Sequence, residues 1–225
     1  MKLITTENSK TTKGESLGVL TGILYLAPAD ESGWEVCPRR SSGCTNSCLF
    51  TAGRGRFSSV RETRIRKTKL FFEKRTDFIV QLIVDINSLS KKAHKNGKIP
   101  AVRLNGTSDI EWTRLGIMEL FPNVQFYDYT KVFNRLEKSR PSNYHLTFSM
   151  SENNQEECMK ALELGYNVSI VFDKLPETWN GYKVINGDES DVRFLDPQAV
   201  VIGLKAKGKG KKDETGFVIK TISNE

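Results

Sequence analysis

The sequence predicts an α/β fold: a partial (βα)6, TIM-like barrel, that is, an open parallel sheet with flanking helices. Two observations predict it. Short, wholly apolar segments alternate with segments of helical period from residue 17 onward, and strands that alternate with helices form parallel sheets. Strands apolar on both sides belong to a sheet that is covered on both faces or closed on itself. The count is about six such units, short of the eight of a complete TIM barrel.

Residues 1–16 are polar and read as a flexible N-terminal segment. LGVLTGILYLAP (17–28) is the first strand, rich in branched apolar residues and closed by Pro28. A cysteine-bearing loop follows. From Ser58 to Lys95 apolar residues recur at helical spacing, as two helices, the second closed by Asn96-Gly97. IPAVRLNG is then a strand, DIEWTRLGIMELFP a helix ended by Pro122, VQFYDYT a strand and KVFNRLEKS a short helix. NYHLTFSMS is a strand, NNQEECMKALELG a helix closed by Gly165, and YNVSIVFD a strand; YKVIN and AVVIGLKA are the last two. No fixed-period repeat and no linker interrupts this run, so 17–225 reads as a single domain.

Hydrophobic residues make up 38% of the 225, enough for a real core. No run of about 18 apolar residues exists, so neither a transmembrane helix nor a membrane partner is expected. The first residues lack the apolar centre of a secretory signal. The expected compartment is a reducing cytoplasm, where clustered cysteines are metal ligands or reactive thiols rather than disulfides. Net charge is +7, and the excess is uneven: residues 53–75 hold nine Lys or Arg against two Glu. Arg54, Arg56, Arg61, Arg64, Arg66, Lys67 and Lys69 are candidate phosphate contacts for a nucleic acid. A solvated helix face is the other reading of that run.

Three of the four cysteines, Cys37, Cys44 and Cys48, stand in one loop, spaced by six residues and then three. A zinc site wants four ligands, in pairs two to four residues apart. Cys44 and Cys48 make one such pair and no second pair follows; His94 and His145 are distant. Three cysteines suit an iron–sulfur cluster with one iron left open. Small neighbours, Ser42, Gly43 and Thr45, allow tight turns and backbone N–H bonds to sulfur; Arg39 and Arg40 would offset negative charge. Unrelated free thiols and a disulfide pair are the remaining readings. Cys158 falls on the apolar face of a predicted helix and reads as a core thiol.

In parallel α/β sheets, ligands bind at the carboxyl ends of the strands. There the sequence places Asn105, Thr107, Ser108 and Asp109, then Tyr127, Thr130 and Lys131, then Ser149, Ser151 and Glu152, and finally Lys205 and Lys207. Small hydroxyls and amides directly after apolar strands exceed what solubility requires. They read as a ligand-binding rim.

A strand, a three-cysteine loop and a helix on a partial (βα)6 barrel resemble the radical S-adenosylmethionine superfamily. The resemblance implies a [4Fe-4S] cluster on Cys37, Cys44 and Cys48, with S-adenosylmethionine or another small molecule on the open iron. It also implies that LNGTSD occupies the place of the superfamily's Gly-rich motif for the methionine amino group. The cysteine spacing here is wider than the superfamily's usual one. A second resemblance covers residues 20 to 220. YLAPADESGWEVCP, GCTNSCL, VRLNGTSDIEW, FYDYTK, NYHLTFSMSENN and DPQAVVIGLKAKG resemble a family of bacteriophage proteins designated by a gene-product number. It implies expression in the cytoplasm of an infected bacterium, and nothing about substrate.

The leading expectation is therefore an iron–sulfur protein, with radical enzymology if S-adenosylmethionine binds. The alternatives are a basic nucleic-acid-binding protein with a structural zinc loop, and a sulfur or electron carrier.

Overall fold

The computed structural model describes residues 1–6 and 9–221. Residues 7, 8 and 222–225, which belong to the segments read as 1–16 and 17–225, lie outside the described residues. The chain opens on strand β1 (Ile4–Thr5) and helix α1 (Ser9–Glu15), followed by β2 (Val19–Leu24), which is buried along its whole length. The first residues are packed where the sequence reads as loose. Leu3 and Ile4 are buried, and their N–H groups donate to Asp85 Oδ2 at 2.5 and 3.0 Å. Lys67 Nζ donates to the Leu3 carbonyl at 2.6 Å.

The cysteine loop contains a short helix, α2 (Ser42–Asn46). The helical run after it is α3 (Ser58–Glu73) and α4 (Arg75–Lys95), divided at Lys74, whose φ of −135° and ψ of 60° leave the helical region. Gly97, at φ +61°, ends α4, and the Lys98 N–H returns to the Ala93 carbonyl at 2.9 Å. Strands β3 (Ile99–Arg103), β4 (Gln125–Thr130), β5 (Tyr144–Ser149) and β6 (Val168–Phe172) follow, with helices α5 (Asn134–Glu137) and α6 (Gln155–Glu163) between them. The chain ends on β7 (Thr178–Trp179), β8 (Tyr182–Asn186), β9 (Val201–Lys205) and β10 (Val218–Ile219).

One expected helix is not formed. Residues 109–122 make only a 3-10 turn, Trp112–Leu115, which Gly116 ends at φ +63°. Trp112 is fully buried, with its indole N–H bonded to Asn105 Oδ1 at 3.0 Å. Fixing that ring against Phe71 and Phe78, at centroid distances of 5.2 and 6.3 Å, outweighs a helical period in the sequence. A buried aromatic ring is worth about 1.5–3 kcal/mol.

The ten strands form one sheet in the order β1-β2-β3-β4-β5-β6-β9-β8-β7, with β10 beside β6. All pairs are parallel except β1 with β2 and β7 with β8. The open parallel sheet with flanking helices is as the sequence predicts. The hydrogen-bonded order ends at β1 on one side and β7 on the other, so the described residues do not close into a barrel.

From β2 to β6 each crossover steps in the same direction, and right-handed crossovers then place the connecting helices on one face. That face carries the main core, including Leu20, Leu24, Phe78, Leu82, Ile86, Phe126 and Phe148. The pleat sends alternate residues to the other face. There Val19, Ala101 and Tyr127 pack against Val192, with Phe194 beside them. This second face is also polar: Arg103 pairs with Asp191 at 3.0 Å, and the Tyr127 hydroxyl donates to Asp191 Oδ2 at 3.3 Å.

Two strand residues, half-buried His145 and buried Asp128, give the fold opposed pH dependences. Burial, with Arg140 and Arg193 nearby, lowers His145 to about 4. Between there and the ordinary ~6.5 the unfolded chain binds a proton that the folded chain does not, so stability falls on acidification. Burial raises Asp128 to about 7, although the Asn105 N–H and the Tyr144 hydroxyl bond to its oxygens at 2.6 and 3.1 Å. Between the ordinary ~3.9 and that value the folded chain alone holds a proton, so stability falls as pH rises. His145→Asn is expected to make the protein relatively more stable at pH ~4.5 than at pH ~7. Asp128→Asn is expected to tilt the curve the other way. Urea midpoints across this range check both signs.

Candidate functional site

The cysteine loop is built by short polar residues and anchored by three distant segments. Ser41 caps α2: its hydroxyl accepts from the Cys44 N–H at 3.1 Å. Glu152, in the loop after β5, accepts from Ser41 Oγ at 2.6 Å and from the Gly43 N–H at 2.7 Å. Gly43 is required by close approach: a Cβ there would stand 2.2 Å from Thr215 Oγ1 and 2.7 Å from Phe217 Cβ. Asp213 accepts from Ser47 Oγ at 3.4 Å and holds the returning chain through the Val218 N–H at 3.0 Å. The Asp109 N–H donates to the Val36 carbonyl at 2.8 Å, which ties the loop to the end of β3.

This scaffold brings Cys37, Cys44 and Cys48 within electrostatic reach of one another. Burial pushes the Cys37 thiol up to about 12, and Cys48, Asp109 and Cys44 add to the rise. The Ala29 N–H points at its sulfur from 3.5 Å, and the sulfur lies 3.8 Å from the Thr107 carbonyl oxygen. Burial also raises Cys48, while Arg64 and Lys131 act against the rise. Thiols held protonated in this way are poor free nucleophiles at neutral pH. All three are unpaired, as is Cys158, which lies in the core as expected.

Among the described residues, no three His, Cys, Asp or Glu side chains are grouped tightly enough to hold one metal ion.

The surroundings are cationic. Arg64 lies over the Tyr25 and Phe50 rings, at 4.8 and 5.6 Å from their centroids. Its Nη1 is buried without a hydrogen-bond partner. Lys131 Nζ donates to Ser149 Oγ at 2.8 Å and lies 5.7 Å from the Phe217 centroid. An orphaned buried guanidinium N–H beside thiols is a donor suited to an anionic centre. Arg40 does not serve: its charge is taken by Glu35 and Asp30, at 2.8 and 3.0 Å. Arg39 faces Glu157 at 3.9 Å.

The predicted rim divides. Thr107, Asp109, Lys131, Ser149 and Glu152 are brought to the cysteine loop. Asp109 is anchored by Arg135 at 2.5 Å and accepts the Lys131 N–H at 2.9 Å. The Thr107 hydroxyl donates to the Leu26 carbonyl at 2.5 Å. Other members are structural. Asn105 is buried, and its Oδ1 accepts from Ser108 Oγ, the Ile110 N–H and Trp112 Nε1 at 2.8, 2.9 and 3.0 Å. Thr130 accepts from the Val132 N–H at 3.1 Å, and the Ser151 N–H donates to Asn154 Oδ1 at 2.7 Å. Tyr127 points to the opposite face of the sheet, toward Asp191. The backbone N–H of Lys205 and the ammonium of Lys207 both bond to Asp188, at 3.1 and 2.5 Å.

The basic run divides too. Lys67 is buried against the N-terminal strand, Arg64 faces Cys48, and Arg61 pairs with Glu31. Arg54, Arg56, Arg66 and Lys69 are exposed. Sequence reasoning missed Arg64 as part of the cysteine site, although helical spacing puts it one turn from Thr68 and two from Phe71, both buried.

No helix among the described residues is long and apolar enough to cross a membrane. No curated protein and no solved structure matches the chain. The family comparison bears out the gene-product likeness and does not extend to the radical S-adenosylmethionine superfamily. With the Gene product 88 family matched over residues 2–221, nearly its whole length, the chain belongs to that family.

Proposed function

We propose that Cys37, Cys44 and Cys48 bind a [4Fe-4S] cluster that leaves one iron open to a small molecule on the side of Asp109, Lys131 and Ser149. The observation that carries this reading is the meeting of three half-buried thiols with Arg64, whose buried Nη1 has no hydrogen-bond partner among the described residues. When bound, such a cluster supplies one-electron chemistry and a Lewis-acidic iron. The chain's residues do the rest. Arg64 offsets the negative charge of the thiolates. Glu152 and Ser41 fix the turn that presents Cys44. Lys131, held by Ser149, offers a cation to a carboxylate, and the Thr107 carbonyl offers an acceptor. A ligand with the amino acid end of S-adenosylmethionine matches these groups, and a partial barrel of radical-enzyme type is the fold this reading extends to.

Anoxic reconstitution with iron and sulfide tests the proposal, read as visible absorbance of each cysteine variant. Cys37→Ala, Cys44→Ala and Cys48→Ala are each expected to lose the absorbance, and Cys158→Ala to keep it. A folded Cys44→Ala or Cys48→Ala protein with the full spectrum would overturn the ligand set.

A further inference from the structure

Two glycine-spaced basic turns, far apart in sequence, meet on the outside of the cysteine loop. GRGR forms a 3-10 turn over Gly53–Arg56, and GKGKK forms another over Gly208–Lys212. Each buries one glycine, Gly55 or Gly210, and exposes its cations. A Cβ on Gly55 would stand 2.6 Å from the Phe50 carbonyl oxygen, and one on Gly210 would stand 3.4 Å from Ser47 Cβ. A Cβ on Gly208 would stand 3.0 Å from Ala52 Cβ. Both turns therefore pack on residues 47–52, the segment that carries Cys48. Arg54, Arg56, Lys209, Lys211 and Lys212 are exposed, and among the described residues no carboxylate pairs with any of them. Beside them Phe57 is 60% exposed.

We infer that these two turns form one surface for a single-stranded nucleic acid. Five exposed cations on two separate turns suit a ligand with several phosphates along its length, not one phosphate. An exposed aromatic ring beside them suits stacking of an unpaired base. Gly55 serves the packing, since a side chain there would push its turn off the loop, whereas Gly210 meets Ser47 at ordinary contact distance. The surface relocates the basic site from α3, whose Lys67 and Arg64 point inward, to the two turns. It does not rest on the cluster reading.

Fluorescence anisotropy with a labelled single-stranded 20-mer, as DNA and as RNA, tests this on the full chain from low to moderate salt. Two charge-reversal variants, Arg54→Glu/Arg56→Glu and Lys209→Glu/Lys211→Glu/Lys212→Glu, remove one turn each. A third, Lys91→Glu/Lys92→Glu/Lys95→Glu at the exposed end of α4, makes the same charge change as the second. The expected result is salt-sensitive binding by the parent, weakened ~10-fold or more by either turn variant and less than ~3-fold by the α4 variant. The salt slope is expected to fall by about 0.7 for each phosphate that is no longer neutralised. Phe57→Ala is expected to weaken binding ~5-fold or more, in line with loss of one stacked base. No binding at low salt overturns the inference. So does equal weakening by the α4 variant, loss confined to one turn, or binding to anionic vesicles without binding to the 20-mers.

Discussion

Asp191→Ala is expected to lower folding stability by about 3–5 kcal/mol, because it strands a buried arginine. Arg103 projects from β3 to the face opposite the helices, where its side chain is 11% exposed and that of Asp191 3%. Asp191 Oδ2 accepts from Arg103 Nη1 at 3.0 Å and from the Tyr127 hydroxyl at 3.3 Å. The guanidinium also lies over the Tyr129 ring, 4.5 Å from its centroid, so it is fixed in place and cannot turn to water. Removing the carboxylate leaves the charge where solvent cannot reach it. Replacing both partners removes the stranded charge as well, so Arg103→Leu/Asp191→Leu is expected to recover a good part of the loss. Urea denaturation of the two single variants and the double variant gives the coupling. Strict additivity would contradict this account of the pair.

Glu152→Ala is expected to release the cysteine loop at a local cost of about 2–3 kcal/mol, the worth of hydrogen bonds to a charged group. Glu152 holds Ser41, Ser42 and Gly43 together, at 2.6, 3.3 and 2.7 Å. Burial alone would raise its carboxyl, but the bonds from Ser41, its own backbone, Gly43 and Ser42 outweigh it and lower the value. The contribution is thus present above the ordinary ~4.3 and lost as pH falls through the lowered value. Maleimide labelling of the metal-free protein reads the release. Each 1.4 kcal/mol is tenfold, so Cys44 is expected to label ~30- to 100-fold faster in the variant. Glu152→Gln, which keeps an acceptor, is expected to fall between. Unchanged labelling of Cys44 would place the anchor elsewhere, in Asp213 or Gly43.

Strand identity was legible because β2 to β6 are short apolar runs between turn signals. Alternation marks a parallel sheet but not its order, in which β9, not β7, stands beside β6 and β10 returns to β6. The failure at 109–122 has a local cause: Asn105 gathers the Ile110 N–H and Trp112 Nε1 into one hub, which no periodicity reports. The polar face of the sheet was hidden for a similar reason. Arg103, Tyr127 and Tyr129 look like ordinary strand and rim residues until residues 190–195 cover them.

Within the site, three cysteines in one loop were plain, and so was the gathering of Asp109, Lys131, Ser149 and Glu152 near them. The direction of each side chain was not. Charge in sequence assigns Arg39 and Arg40 to the thiols, yet both have carboxylate partners. Arg64 looked like one cation among nine in its run, and only the buried face of α3, with Lys67, Thr68 and Phe71, sets it apart.

The iron, sulfide and zinc content of protein purified without oxygen bears on the cysteine centre before any variant is made. A brown protein with about four irons and four sulfides per chain and no stoichiometric zinc is the expected result. A colourless protein carrying one zinc and no sulfide would contradict it. The loop would then be a structural zinc site, and the nucleic-acid surface inferred on the basic turns beside it would stand unaffected.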